Sequence, residues 1–100
     1  MPTKKEYKDF VLEQLKGLDN ITVKPMMGEF LLYYNGVLFG GIYDDRLLFK
    51  KTEIGAAYGM DEVLPYEGAK PMYSADFVDD SEKVKELVLK TYENLIKNKR

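Results

Sequence analysis

Apolar residues recur along the chain with two different periods, and each change of period marks the boundary of a predicted element. Helical spacing predicts a first helix from about Lys4 to Gly17 and a last helix whose start signal is Asp79-Asp80-Ser81-Glu82. A short helix is predicted over residues 52–58, with Thr52 as its cap. Strands are predicted at about residues 27–34, 37–43, 46–51 and 71–78, and residues 60–70 fit either an irregular segment or one with a short strand near Tyr66.

Two-residue turns join the first three of these strands. Asn35-Gly36 between apolar runs is a strong hairpin signal, because both residues tolerate the positive φ of a type I′ turn. With Asp44-Asp45 as the second turn, the pattern predicts a three-stranded antiparallel meander. Before the meander, Ile21-Thr22-Val23 fits either a short edge strand or a linker. Within it, Gly40-Gly41 predicts a bulge or a close backbone approach.

Both long helices carry one apolar stripe and a start signal. Thr3 and Glu6 have the spacing of a capping box. The stripes consist of Tyr7, Phe10, Val11, Leu15 and Leu18 in the first helix and Val84, Leu87, Val88, Tyr92, Leu95 and Ile96 in the last. Packing both helices on one face of an antiparallel sheet gives a two-layer α+β fold. The other face keeps apolar residues without a cover, which predicts self-association through that face.

The composition excludes several classes of function. With 100 residues and a formal net charge of −2, the chain fits one domain over residues 1–100 and has no charge excess that indicates nucleic acid or an anionic membrane. Cysteine and histidine are both absent, which excludes thiolate and imidazole catalysis and the metal sites built on these ligands. These absences remove most common hydrolase and metalloenzyme mechanisms, and any remaining chemistry would rest on carboxylates, lysine, tyrosine, serine or threonine. We expect no enzyme, no cofactor and no metal. The chain has neither a bilayer-length apolar run nor a secretion signal, so a cytoplasmic protein is expected.

Five short segments carry a family resemblance, in the order Pro25-Met26-Met27-Gly28, Leu32-Tyr33 before Asn35-Gly36-Val37-Leu38-Phe39, Asp44-Asp45-Arg46-Leu47-Leu48-Phe49-Lys50, Tyr66 before Gly68, and Lys70-Pro71-Met72-Tyr73-Ser74. Together they resemble the N-terminal domain family of TfoX/Sxy competence regulators. Met27 stands where family members commonly carry Phe, a change that preserves bulk. The resemblance implies a secretion-chaperone-like fold with the order helix-β(3)-helix-β(2)-helix. It also implies a role in switching on genes for DNA uptake, with no catalytic residues to carry over.

The charged candidates for a site have structural explanations beside them. Asp44-Asp45 fits a tight turn better than a metal or acid–base pair, because aspartate side chains cap turn amides. Asp79-Asp80 fits a helix start. Asp76 fits either a shallow polar pocket or a residue that keeps a sheet edge soluble, the second being favoured. Lys70 with Tyr66 and Tyr73 has the chemistry to hold an anion or a base, yet one lysine is far from a basic groove.

The leading hypothesis is a non-enzymatic protein-interaction domain in transcriptional regulation that acts as a homodimer. Its expected partner is a protein, with the transcription machinery as the candidate, and direct contact to nucleic acid or membrane is not expected. Methionine and tyrosine suit such a surface, because methionine adapts to varied apolar partners and tyrosine keeps a polar tip. The predicted interaction residues are Met26, Met27, Leu31, Tyr33, Lys70, Met72 and Tyr73. Two alternatives stay open: a small-molecule-binding or enzymatic domain with a pocket near Asp76 and Lys70, and a chaperone-like peptide-binding dimer.

Overall fold

A computed structural model describes residues 3–97, which form three helices and one six-stranded antiparallel sheet. Along the chain the elements are α1 (Lys5–Gln14), β1 (Ile21–Met26), β2 (Glu29–Tyr34), β3 (Val37–Ile42), β4 (Leu47–Phe49), α2 (Glu53–Ala57), β5 (Asp61–Val63), β6 (Met72–Ser74) and α3 (Ser81–Lys97). In the sheet the strands lie in the order β1-β2-β3-β4-β6-β5. The α+β class is confirmed. The first group has four strands, because residues 21–26 form an edge strand and not a linker.

Three successive hairpins have two-residue turns with positive φ at both central residues. The values are 51° and 78° at Asn35-Gly36, and 51° and 57° at Asp44-Asp45, so both predicted turns are confirmed. The third such turn is Met27-Gly28, with φ of 50° and 86°, between β1 and β2. These dihedral angles match the right-handed twist of the strands they connect. The predicted strand start at Met27 is therefore wrong by the length of this turn.

The glycine pair in β3 allows its neighbours to approach closely. The pairing of β2 with β3 shifts register between Leu32 and Tyr33, next to the Leu32–Gly40 pair. A Cβ atom at Gly40 would collide with the carbonyl oxygen of Leu48, and one at Gly41 would lie 2.6 Å from the carbonyl oxygen of Phe30. The predicted bulge and close approach are both confirmed, and the close neighbours include backbone of the flanking strands.

The core lies between the sheet and the helices, on one face of the sheet. Its buried members are Val11 of α1, Leu15 directly after α1, Val84, Leu87 and Val88 of α3, and Leu32, Phe39, Ile42, Leu47, Phe49 and Ala75. Two predicted members of the helical stripes are exposed instead, Phe10 to 39% and Ile96 to 44%. Both lie at the margin of a stripe. α2 packs on the same side, where Gly55 lies against the ring of Tyr73, which pairs with Phe49.

The predicted capping box at the first helix does not form. α1 begins at Lys5 and its cap residue, Lys4, makes no side-chain cap. The Thr3 hydroxyl instead donates to Glu29 Oε1 at 2.7 Å, because the chain before α1 runs beside the hairpin turns. At the other helices, Thr52 Oγ1 accepts from the Ile54 amide and Asp80 Oδ1 from the Lys83 amide, so both predicted start signals are confirmed.

The last two strands are shorter than predicted. β6 covers only Met72–Ser74, and the strand beside it is Asp61–Val63, so the strand predicted near Tyr66 is wrong. Residues 64–71 form a loop bounded by Pro65 and Pro71. Proline has no amide hydrogen to donate to a strand ladder, which favours a loop over a long β-ribbon here.

Candidate functional site

The face of the sheet turned away from the helices, called here the outer face, carries apolar side chains in its central strands. Leu31 is the strand neighbour of the buried Leu32, and adjacent residues of a strand point to opposite faces. The Leu31 side chain therefore lies on the outer face, in register with Lys24 and Gly41. Tyr33 pairs with Leu38 on the same face. These three residues, Leu31, Tyr33 and Leu38, form the apolar strip, and each is half-buried.

Part of the outer face is covered by the loop of residues 64–71. The Arg46 guanidinium donates to the carbonyl oxygens of Leu64 and Pro65, both at 3.2 Å, and so holds the loop against the sheet. The ring of Tyr66 lies 6.2 Å from that of Tyr43. Leu48, which points to the outer face, is fully buried. The expectation of an outer face without any cover is therefore wrong for this part of the sheet.

A cleft lies between the covering loop and the part of the sheet formed by Leu38 and Gly40 of β3 and the two lysines that follow β4. Its volume is about 430 Å³. Lysines, apolar residues and tyrosines line it together: Lys50, Lys51, Lys70, Leu38, Pro65, Pro71, Met72, Tyr43 and Tyr66, with Gly40 and Ala69. We call it the lysine cleft. It adjoins the apolar strip, because Leu38 belongs to both.

Positive charge surrounds the apolar parts of the outer face. The Lys24 ammonium lies 5.8 Å from the centroid of the Tyr33 ring, a cation–π contact at the edge of the apolar strip. Lys51 pairs with Glu62 at 3.2 Å. Burial raises the pKa of the Tyr43 phenol above its usual value, and the nearby Tyr66, Glu29 and Tyr33 raise it further. The Tyr43 hydroxyl therefore stays neutral at physiological pH.

The structure brings most of the predicted interaction residues to the surface. Leu31 and Tyr33 lie in the apolar strip, and Lys70 and Met72 line the lysine cleft. Met26 is half-buried at the end of β1, and Met27 is 98% exposed at the tip of the adjacent turn. Tyr73 lies on the opposite face, only 8% exposed, against Gly55 of α2. Tyr73 is therefore part of the interior between the sheet and α2.

The alternative pocket built from Asp76 and Lys70 does not form as one site. Asp76 is exposed, accepts from the Ser74 hydroxyl at 3.1 Å and lines a separate cleft of about 210 Å³ with Tyr7, Asp45 and Arg46. Burial raises the pKa of Tyr7; the Leu47 backbone opposes this change, and the carboxylates of Asp45 and Asp76 add to it. Within residues 3–97, no three acidic side chains come together as a possible metal site.

Sequence reasoning missed Leu38, Lys50, Lys51 and Arg46. Lys50 and Lys51 become part of the lysine cleft because the loop of residues 64–71 folds back over the outer face. The position of Leu38 opposite Tyr33 was available from the hairpin register, since Asn35-Gly36 fixes which residues pair. Nothing local in the sequence connects Arg46 to the carbonyl oxygens of residues 64 and 65.

Comparison with known proteins gives two findings. A model of the TfoX N-terminal domain family matches residues 13–95. The chain is also 34% identical over 80 residues to an uncharacterized 12.7 kDa protein in the trpE 5′ region of Spirochaeta aurantia, a match that covers 78% of this chain and 70% of the relative. Across the part of the chain that the structure describes, no helix combines the length and hydropathy needed to cross a bilayer.

Proposed function

Since the chain belongs to the TfoX N-terminal domain family, we propose that it is a non-enzymatic interaction domain of the regulator type that pairs with a second copy through its apolar strip. The family is a regulator-type family, which supports a role in competence or transcription regulation. The observation that carries the proposal is the position of Leu31, Tyr33 and Leu38 on the face that the helices leave open. A sheet with one face in water usually carries polar residues there.

The sheet edges favour contact through the face over contact through an edge. β1, at one edge, contains Pro25, which has no amide hydrogen for a further strand. β5, at the other edge, has only three residues, Asp61–Val63, of which two are acidic. Short, charged or proline-containing edges discourage strand addition. A second copy therefore finds its apolar partner surface on the outer face.

The charges around the strip predict how salt acts on this pairing. A two-fold contact through the strip brings the lysines around it, Lys24 and Lys50, of both copies to the rim of one interface, where like charges repel. Salt screens such repulsion over a Debye length of about 8 Å at 0.15 M ionic strength. We expect the dimer to become tighter as sodium chloride rises from about 20 to about 500 mM, the opposite of association driven by surface ion pairs.

Light scattering after size exclusion tests the proposal. At about 100 μM, where a dimer with a dissociation constant of about 10 μM or tighter would be mostly paired, the mass should be near twice the chain mass of 11.6 kDa. Leu31→Gln and Leu38→Gln should each weaken association at least about tenfold, because each places an amide in the apolar contact. Leu89→Gln is the matched control, since Leu89 is an exposed leucine on α3. A monomer at this concentration, or equal effects of all three variants, contradicts the proposal.

A further inference from the structure

Three ammonium groups share the lysine cleft, and among the residues that the structure describes no carboxylate lines it. The three are those of Lys50, Lys51 and Lys70. Glu62, which does not line the cleft, forms an ion pair with Lys51 and offsets its charge. Within residues 3–97 neither Lys50 nor Lys70 forms an ion pair. Two uncompensated positive charges therefore lie beside one cavity whose walls are largely apolar. Such a field raises the local concentration of anions.

The other walls of the lysine cleft suit a planar ring. Tyr66 is 58% exposed although it is a large aromatic residue, and it stands 6.2 Å from the mostly buried Tyr43. Met72 adds a polarizable thioether, which packs well against aromatic rings. Pro65 and Pro71 add apolar surface with little conformational freedom. A flat aromatic group would cover these side chains and lose little entropy of its own.

The lysine cleft is formed in advance of any ligand. The two hydrogen bonds from Arg46 to the Leu64 and Pro65 carbonyl oxygens fix the start of the covering loop. A backbone hydrogen bond from the Ala69 amide to the Tyr66 carbonyl oxygen closes a turn within it. The volume of about 430 Å³ falls within the roughly 300–1,000 Å³ of small-molecule sites.

We propose that the lysine cleft binds a small planar aromatic molecule that carries one carboxylate or phosphate group. Its ring lies against Tyr66 and Met72, and its anionic group lies between the ammonium groups of Lys50 and Lys70. Both anions accept hydrogen bonds from ammonium groups, so the side chains present suit either. The lysine cleft adjoins the apolar strip and shares only Leu38 with it, so ligand binding there is tested without assuming that two copies pair.

A ¹H–¹⁵N NMR titration of the full chain at about 150 mM salt, where screening is physiological, tests this site with matched probes. The probes are 2-naphthoate, 2-naphthyl phosphate, the neutral 2-naphthylmethanol and the ring-free acetate. We expect saturable shifts confined to residues 38–51 and 64–72 with one or both naphthyl anions, and no saturation with acetate. Comparison of the two naphthyl anions shows whether carboxylate or phosphate is preferred. Binding of 2-naphthylmethanol as tight as that of the anions overturns the proposal.

Single substitutions distinguish binding in the lysine cleft from non-specific binding of aromatic anions elsewhere on the protein. Lys70→Gln and Tyr66→Ala should each weaken binding of the preferred naphthyl anion by about fivefold or more, since each removes one of the two recognition features. Lys5→Gln is the control, because Lys5 is an exposed lysine on α1. Equal affinity of the Lys70→Gln and Lys5→Gln variants overturns the proposal. So does tighter binding of a single-stranded oligothymidylate, which would make the cleft part of a nucleic-acid groove.

Discussion

Replacing Glu29 should loosen the attachment of the chain's start to two hairpin turns. Glu29 Oε1 accepts three hydrogen bonds, from the Thr3 amide at 3.1 Å, the Thr3 hydroxyl at 2.7 Å and the Asp44 amide at 3.0 Å. The Thr3 groups also have second acceptors, the carbonyl oxygens of Gly28 and Ile42. The Asp44 amide has water within reach, because that bond is exposed. Because of these alternative partners, replacing Glu29 should cost less free energy of unfolding than three charge-assisted hydrogen bonds contribute.

We expect Glu29→Ala to lower the free energy of unfolding by about 2 kcal/mol, since a hydrogen bond to a charged group contributes about 1.5–3 kcal/mol and part of the loss is compensated. For a domain of this size that corresponds to a fall in Tm of about 8–16 °C. Glu29→Gln keeps an acceptor oxygen and should cost about half as much. The assay is urea unfolding followed by circular dichroism, with equal m-values as evidence that only stability has changed.

Glu13→Ala is the control for removing one glutamate, since Glu13 is exposed on α1. Surface changes of this kind usually stay within about 0.5 kcal/mol. If Glu29→Ala falls within the same range as Glu13→Ala, the three hydrogen bonds do not hold the chain's start, and the explanation given for the absent capping box is wrong.

Two further changes have directions that the structure fixes. Met27→Asn should raise the free energy of unfolding by about 0.5–1 kcal/mol in urea unfolding, because Met27 sits at φ 50° where asparagine is favoured; no gain would contradict the type I′ turn. Burial, together with its hydrogen bond to Glu86, raises the pKa of Tyr58 to about 12. The protonated phenol therefore stabilises the fold below pH 10, and this stability is lost as pH rises toward 12. Tyr58→Phe should lose less stability than the wild type between pH 10 and about 12; equal losses would contradict this.

Local signals predicted the elements that depend on neighbouring residues. Asn35-Gly36 and Asp44-Asp45 adopt the turn conformation that their residue types favour, and the glycine pair at residues 40–41 allows the approach it indicated. The short helix starts at its predicted cap, Thr52. In each case the determining interaction lies within a few residues, or within a hairpin whose register the turn fixes.

Long-range contacts decided the features that sequence reasoning missed. Thr3 has the spacing of a capping residue, but its hydroxyl finds Glu29, 26 residues away. Arg46 reaches carbonyl oxygens 18 and 19 residues away and so folds the covering loop over the outer face. The face of the strand on which Tyr73 lies follows from alternation, but whether that face is covered depends on where α2 packs. Such partners depend on tertiary packing, which the periodicity of a single segment does not encode.

The most direct test of pairing through the outer face is a distance between two copies of the chain. The protein contains no cysteine, so one introduced cysteine carries the only spin label. Thr22 is exposed and pairs with Tyr33, which places it on the outer face, whereas Glu13 is exposed on α1 behind the sheet. Electron–electron double resonance on Thr22→Cys and Glu13→Cys should give a markedly shorter distance for Thr22. Two sheets packed face to face lie about 10 Å apart, and a helix layer behind each adds about 10 Å on either side. A shorter distance for Glu13 than for Thr22, or no intermolecular coupling at about 100 μM, would contradict the account.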